Sequence, residues 1–443
     1  MTPRLPADAT IGSRIRARRL LRGWSIRYAS SRAGISHTTW SRIERGLLAA
    51  DNRFMLAGLA AALDCSPAEL AGVPVPITDR AVVAAHAAVH AVRQSLVELD
   101  LSEPRPSRAA PLPPGADPAF SAADPEPPEA ADPELPEAAD PELLAAGRRL
   151  GRPVAELARG AALLDDLRQS CDYAGAARLL PGLLRDLHAA TTGPERLPAL
   201  RLLCDVTFIA SSVLRNLGHP ADAWLGAERC RDAAAAAGDP VLLAYAAYAR
   251  ASAAAACGSF DRGLALAAGA ADDVASHTAR PGGLVVLGSL QLLCAFASRG
   301  QGRLDDSRAW SAEAAALADR TGETTTMGLY FGPANVGFWR IGIEVDGGDP
   351  GVAVEIARRT DPAILPAGFR QVFYYADTAR ALARLRGHDR EAIRYLLIAE
   401  RVAPQHVHTS PLARETTRAL LDRSRRPAGG TELRALCERL QIA

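Results

Sequence analysis

The feature that most restricts the fold of this chain is a signature that recurs along its C-terminal two thirds. A glycine at the expected end of one helix is followed five residues later by a small residue inside the next helix. Five pairs follow this rule: Gly218 and Ala223, Gly258 and Gly263, Gly302 and Ser307, Gly348 and Ala353, and Gly387 and Ala392. Glycine suits a left-handed cap between antiparallel helices, and small residues let paired helices approach closely. The pattern predicts stacked helix pairs, an α-solenoid with a concave face.

A degenerate copy without the glycine runs from Cys171 to Ala176. Composition agrees with a helical chain, because only 5% of the 443 residues are aromatic, alanine is abundant and β-branched runs are few. We therefore expect an all-α fold with almost no strand.

The seven cysteines are odd in number, widely spaced and never form a CxxC pair, and the N-terminus has no apolar signal core. Both features favour a reduced, cytoplasmic protein.

Composition divides the chain into four segments. Residues 1–76 are basic, with eleven arginines against five acidic residues, which suits a polyanionic partner. Residues 77–101 predict a connector helix with an apolar stripe, a candidate for dimerisation. Residues 102–142 are rich in proline, alanine and acidic residues, and predict a disordered linker, because they carry too little apolar surface to offset the entropy of ordering. Residues 143–443 carry the helix pairs.

Within the basic segment, residues 24–45 have the spacing of a helix-turn-helix. Ala29 is the small residue needed where two helices cross, Gly34 supplies the turn, and Ser36 can cap the second helix. An apolar helix follows, and then the capping-box sequence from Ser66 to Glu69 opens a short fifth helix. These residues predict a five-helix domain.

Three stretches, residues 11–19, 33–36 and 41–46, resemble the Cro and lambda-repressor-like (xenobiotic-response-element) family of helix-turn-helix regulators. The resemblance implies that the third helix, Ser36 to Arg45, enters the major groove of DNA. It assigns contacts with bases or nearby phosphates to Ser36, His37, Thr38, Ser41 and Arg42.

The same resemblance assigns phosphate contacts to helix one, where Arg14, Arg18 and Arg22 could meet the backbone. The sequence departs from the family at Ile26, where a glutamine that grips a phosphate is usual. Arg27 could take over that contact.

A polar column is expected on the first helices of the pairs. The residues thirteen positions before the five glycines can all form hydrogen bonds: Asp205, Tyr245, Ser289, Asn335 and Tyr374. One turn earlier, Arg201, Phe331 and Arg370 add two cations and a ring. The hypothesis is a ligand groove centred on Asn335 and Tyr374, with Arg201 and Arg370 available for a carboxylate or phosphate. The alternative is that these side chains cap or bridge neighbouring helices.

Residues 330–339 are the least repeat-like part of this domain, and Gly332-Pro333 should kink or restart a helix. With residues 399–404 and 432–436 they resemble the C-terminal domain of actinobacterial regulators that join this helix-turn-helix to tetratricopeptide-like repeats. The repeat spacing of 39 to 47 residues exceeds the usual 34 or so, so longer helices are expected. The architecture also resembles the peptide-pheromone receptors of Gram-positive bacteria, in which an asparagine on a concave helix holds the peptide backbone. By analogy of position, that asparagine corresponds to Asn335.

The sequence contains no GxSxG, P-loop or GxGxxG motif, so we expect neither an enzyme nor a cofactor. His86 and His90 lack a nearby third ligand, so no metal site is expected. We expect a homodimeric transcriptional regulator that reads a duplex operator and whose repeat domain binds a peptide, small molecule or partner. The alternatives are an interaction scaffold that the head only localises, and a repressor without a ligand.

Overall fold

The computed structural model describes residues 10–72, 79–101, 152–424 and 431–442. Within these ranges the chain is all-α, with 21 α-helices and one two-stranded hairpin. The predicted linker at 102–142 lies outside the described residues. So do residues 1–9 of the predicted head.

The N-terminal head contains the five helices expected from its sequence. They are α1 Ile11–Leu21, α2 Ile26–Arg32, α3 His37–Glu44, α4 Arg53–Ala62 and α5 Pro67–Ala71. Each begins after a side chain that accepts a hydrogen bond from a backbone N–H of the first turn. The head has its own core, in which Ile15, Trp40, Ile43 and Leu63 are almost fully buried.

The remaining helices pack as consecutive antiparallel pairs. They are α6 Arg80–Val97, α7 Val154–Gln169, α8 Tyr173–Ala190, α9 Arg196–Asn216, α10 Pro220–Ala237, α11 Pro240–Ala256, α12 Phe260–Ala275, α13 Gly283–Gly300, α14 Leu304–Thr321, α15 Pro333–Gly347, α16 Pro350–Arg359, α17 Gly368–Arg384, α18 Asp389–Val402, α19 Pro404–Thr409, α20 Pro411–Ser424 and α21 Thr431–Arg439. A 3₁₀ turn, Pro362–Ile364, precedes α17. The first helices α9, α11, α13, α15 and α17 also contact one another in order, so they form one continuous layer.

The recurring glycine signature is confirmed. All five turn glycines have a φ angle between +77° and +94°, the left-handed conformation that glycine adopts without strain. Cys171 adopts φ +60° at the degenerate copy, so the same turn is formed there by a non-glycine residue. Each small residue five positions on is buried where the paired helices touch.

The break at Gly332-Pro333 restarts a helix, as predicted, but a hairpin precedes it that was not predicted. Strands β1 Thr324–Thr326 and β2 Leu329–Phe331 pair antiparallel, with Thr325 opposite Tyr330. Met327 and Gly328 form the connection with φ angles of +55° and +65°, as a two-residue hairpin turn requires. Helix α15 then begins at Pro333, where proline costs no hydrogen bond.

Helix α6 is part of the helical layer. Its predicted apolar stripe, including Val89 and Leu96, is buried against α8 and α10. At its start Asp79 accepts a hydrogen bond from His408, which also bonds Glu400 with 3.0 Å between Nε2 and Oε1. The stripe is therefore used within the chain.

Helices α9 and α13 are long and apolar enough to cross a membrane by length and composition. However, 72% and 67% of their apolar windows are buried inside the fold, as in the core helices of a packed domain.

Candidate nucleic-acid interface

Helices α2 and α3 form the helix-turn-helix. Gly34 turns the chain with φ +67°, and the Ser36 hydroxyl caps α3 by accepting a hydrogen bond from the Thr39 amide at 3.0 Å. Ala29 is fully buried at the helix crossing. Trp40 and Ile43 point into the core with 0% and 1% of their surfaces exposed, so the opposite side of α3 faces outward.

A buried ion pair holds α3 in a fixed orientation relative to α1. The Arg19 guanidinium on α1 binds both carboxylate oxygens of Glu44 at 2.6 and 2.8 Å, and donates to the Trp24 carbonyl. The Trp40 indole N–H donates to the same carboxylate at 2.6 Å. The hydrogen bond from Arg19 to Glu44 raises the pKa of Arg19, so this cation stays charged. Sequence reasoning used Arg19 in the basic charge and in the family resemblance, and assigned it no structural role.

The outward side of α3 carries the side chains that the family resemblance assigns to base contacts. His37, Thr38 and Arg42 are exposed and Ser41 is half-buried. Arg27, at the start of α2, is also exposed. Within the described ranges neither Arg27 nor Arg42 has an ion-pair partner, so both cations are available to an external anion.

Helix α1 is different, because its three predicted phosphate-binding arginines have partners inside the head. The Arg14 guanidinium donates to the Ala71 carbonyl, and Arg18 pairs with Glu69 at 2.7 Å. Arg22 pairs with Asp64 at 3.0 Å. These contacts tie α1 to α5 and to the end of α4, so in this conformation the three arginines have a structural role. Arg18 and Arg22 remain about one third exposed.

The head packs against the repeat domain through a buried charge cluster. From the head come Asp51 and Arg53, and from α15 and α17 come Asp346, Asp377, Arg380 and Arg384. Arg53 binds Asp346 and reaches Asp377 at 3.0 Å, while Arg380 binds both carboxylates and the Asp51 carbonyl. Three carboxylates and three guanidinium groups make the cluster formally neutral.

The opposite charges of the cluster stabilise one another. Burial alone would raise the pKa of Asp346, but Arg380 and Arg53 outweigh it and lower that pKa to about 2. The Arg53 backbone N–H also donates to this carboxylate, at 3.1 Å. Next to the cluster, the Phe54 ring packs against Phe260 and Phe296, with centroids 5.5 and 5.1 Å away. The head is thus held by both charge and aromatic contacts.

The structure does not bring the predicted ligand column together as a groove. Tyr245 donates to the Met327 carbonyl at 3.0 Å, Tyr374 to the Ala357 carbonyl at 2.9 Å, and Asn335 to the Tyr330 carbonyl at 2.6 Å. Ser289 is buried between helices, and burial raises the pKa of the Asp205 carboxyl to about 7. These contacts agree with the alternative, that the column bridges neighbouring elements.

The residues one turn earlier are also dispersed. Arg201 is exposed and lies 3.6 Å from Asp239, and Phe331 is fully buried in β2. Only Arg370 of the eight predicted ligand residues lines the large cavity of the concave side.

The cavity is lined instead by residues ten positions before the turn glycines. Phe208, Tyr248, Phe338 and Asp377 occupy that position in four of the five first helices. In a helix of 3.6 residues per turn, side chains three positions apart point in directions that differ by roughly 60°. This difference is enough for one to face a neighbouring helix and the other to face the concave side. Reading the column at this position would have found the cavity from the sequence.

Comparison with known proteins identifies the head. Residues 10–72 match the profile of a helix-turn-helix domain family, a span that coincides with helices α1 to α5. No curated protein matches the chain. The head of this protein is therefore a helix-turn-helix domain, of the kind that binds DNA, joined to an all-helical domain of repeated helix pairs.

Proposed function

We propose that this protein is a sequence-specific DNA-binding transcriptional regulator whose repeat domain modulates operator binding. The observation that carries the proposal is the outward face of α3, where His37, Thr38 and Arg42 are exposed. Arg27 on α2 is exposed as well, and both helices lie in the domain that matches the helix-turn-helix family. Arginine and histidine side chains on such a helix can donate to base edges and phosphates in the major groove.

The proposal extends to the finer assignments made from the sequence. The head acts in the manner of lambda-repressor-like domains, the repeats are tetratricopeptide-like, and the chain works as a cytoplasmic homodimer on a pseudo-palindromic operator. Two half-sites would double the number of phosphate contacts and hence the affinity. Regulation, with no catalytic role, accounts for both domains.

The charge cluster favours a regulator over a scaffold that the head merely localises. A head used only as an anchor needs no defined orientation, whereas Asp51 and Arg53 form buried ion pairs with the repeat domain. A change in the repeat domain can therefore alter how the head is held, which is a shift between two populations.

To test this, the full chain is first used to select the duplexes of its own chromosome that it binds. Its affinity for these duplexes is then measured by fluorescence anisotropy across a salt series. Arg42→Gln should weaken the selected duplex by about 1–3 kcal/mol, roughly 5- to 150-fold. Arg27→Gln should weaken all duplexes alike and reduce the slope of log K against log salt by about one. Arg394→Gln, an exposed arginine on α18, is the matched control.

The proposal fails if no duplex is retained in a salt-sensitive way. It also fails if Arg42→Gln binds as well as the Arg394→Gln control.

A further inference from the structure

A cavity lies between the head and the repeat domain. Its volume is about 370 Å³. First helices α9, α11, α13, α15 and α17 form one wall, and α4 and α5 of the head contribute Leu56, Ala57 and Pro67. A cavity of this size matches the smaller pockets that proteins use for organic ligands.

The wall of this cavity is aromatic. Six of the nine phenylalanines in the chain line it: Phe208, Phe260, Phe296, Phe338, Phe369 and Phe373. Tyr248 and Trp339 add two further rings. Because aromatic residues are only 5% of the chain, their concentration here marks a surface suited to a flat, apolar group.

Two arginines in the same wall have no acidic partner among the described residues. Arg370 is 8% exposed, its Nε atom is buried without a hydrogen-bond partner, and its guanidinium lies over Phe369 at 4.8 Å and Trp339 at 5.8 Å. Arg215 is half-buried on α9 and has no ion pair in the part of the chain that the structure describes. Removing a cation from water, wholly as at Arg370 or partly as at Arg215, is costly without a counter-charge, so these two side chains need an explanation.

The other charges of the wall are already matched. Arg168 pairs with Asp165 at 2.6 Å, and Arg53 and Asp377 belong to the charge cluster. The cavity wall therefore carries an excess of positive charge. Burial, together with Arg215 and Arg53, lowers the pKa of His406 to about 4, so this neighbour stays neutral and adds no charge.

We propose that the cavity binds an organic anion, whose carboxylate or phosphoryl group is held by Arg215 and Arg370 and whose apolar body packs on the aromatic wall. Guanidinium groups bind both kinds of anion through paired, charge-assisted hydrogen bonds. This inference deepens the proposed function, because it names the ligand class of the regulator and rests on that function for its biological meaning. Leu56 and Ala57 complete the wall, so the bound anion touches the head directly.

The test uses a fluorescent probe of the stated chemistry on the full chain. The probe is 1-anilinonaphthalene-8-sulfonate, an aromatic anion, and N-phenyl-1-naphthylamine is its neutral counterpart. Wild type should bind the anionic probe saturably, and Arg215→Gln and Arg370→Gln should each weaken it roughly tenfold or more while changing the neutral probe by less than about twofold. Arg201→Gln, an exposed arginine outside the cavity, is the matched control and should change neither.

Competition then identifies the head group. Benzoate and phenyl phosphate carry the two anionic groups, and benzyl alcohol carries none. One or both anions should displace the probe and the alcohol should not. Circular dichroism of each variant confirms that it is folded, and Arg215→Gln and Arg370→Gln report independently, so one misfolded variant leaves the other as the test.

The inference is overturned if the anionic probe does not bind saturably. It is overturned equally if both variants bind the probe as wild type does, or if the two probes weaken in parallel. Duplex binding by the same variants is a separate measurement, so failure of the anion site and failure of DNA binding are distinguishable.

Discussion

Replacement of Arg53 by methionine should detach the head from the repeat domain while leaving both folded. Methionine keeps most of the side chain's length but removes its charge. The Arg53 side chain lies outside the core of the head, and its only ion-pair partners among the described residues are Asp346 and Asp377, which are 0% and 5% exposed. After the substitution the charge cluster contains three carboxylates and two guanidinium groups, so one buried negative charge is unmatched.

The size of the effect follows from burial. Removing one partner of a buried ion pair costs about 3–5 kcal/mol. Because 27% of the Arg53 side chain is exposed, we take the lower end, about 3 kcal/mol. At about 1.4 kcal/mol for each factor of ten, docking of the head should weaken by roughly 100-fold.

Hydrogen exchange measured by mass spectrometry tests this prediction. The Arg53 amide donates to Asp346 in the docked state, so the peptides that contain these two residues should exchange faster in Arg53→Met. Arg32→Met is the control, because Arg32 is 41% exposed and lies 3.6 Å from Asp64, a surface pair worth at most about 1 kcal/mol. Equal exchange in the two variants would refute the reasoning. Faster exchange throughout the head would instead indicate that the head had unfolded.

Two further predictions concern stability. A Cβ on Gly12 would overlap the Ile43 carbonyl oxygen, so Gly12→Ala should destabilise the head by about 1–3 kcal/mol. Gly58 lies in a helix with open space around it, so Gly58→Ala should stabilise the head by about 0.5–1 kcal/mol. The melting temperatures of the two variants should therefore move in opposite directions. Burial opposes charge on His408, but its hydrogen bonds to two carboxylates outweigh burial and raise its pKa, so its contribution is complete below about pH 6.5 and is lost as pH rises through the raised value. Urea titrations should therefore show the stability difference between wild type and His408→Gln shrinking as the pH is raised above about 6.5, and a constant difference would contradict it.

The parts of the fold that could be predicted are those fixed by neighbouring residues. A cap depends on a side chain and an amide three positions away, as at Ser36, and a helix turn depends on one glycine, as at Gly302. These interactions are complete within a few residues, so the sequence contains all the information they need. The five helices of the head and the boundaries of the helix pairs were predictable for this reason.

Contacts between distant residues were not predictable in the same way. Arg53 and Asp346 are 293 positions apart, and each by itself has the appearance of a surface charge. Nothing in the local pattern distinguishes them from Arg394, which is exposed. The hairpin was missed because three-residue strands are too short to show alternation.

The predicted ligand column lies three positions away from the residues of the first helices that line the cavity. The first helices were recognised correctly, but the polar residues thirteen positions before each glycine face neighbouring elements, where Tyr374 and Asn335 bond backbone carbonyls. Polarity was therefore a misleading guide to the concave face. Hydroxyl and amide groups inside a packed helical domain mostly bond its own backbone. The cavity is instead lined by rings and by arginines that have no acidic partner among the described residues.

The way the head is held has a consequence for regulation. Buried ion pairs specify orientation but add little net stability compared with apolar packing, so the docked head is well defined and still releasable. Coupling between two sites is typically about 1–3 kcal/mol, the same order as the roughly 3 kcal/mol assigned to Arg53. An anion that touches Leu56 and Ala57 can therefore shift the docking equilibrium only while the charge cluster keeps the head within reach. It follows that Arg53→Met should uncouple the domains, so that addition of the anionic probe no longer changes the affinity of the head for duplex DNA.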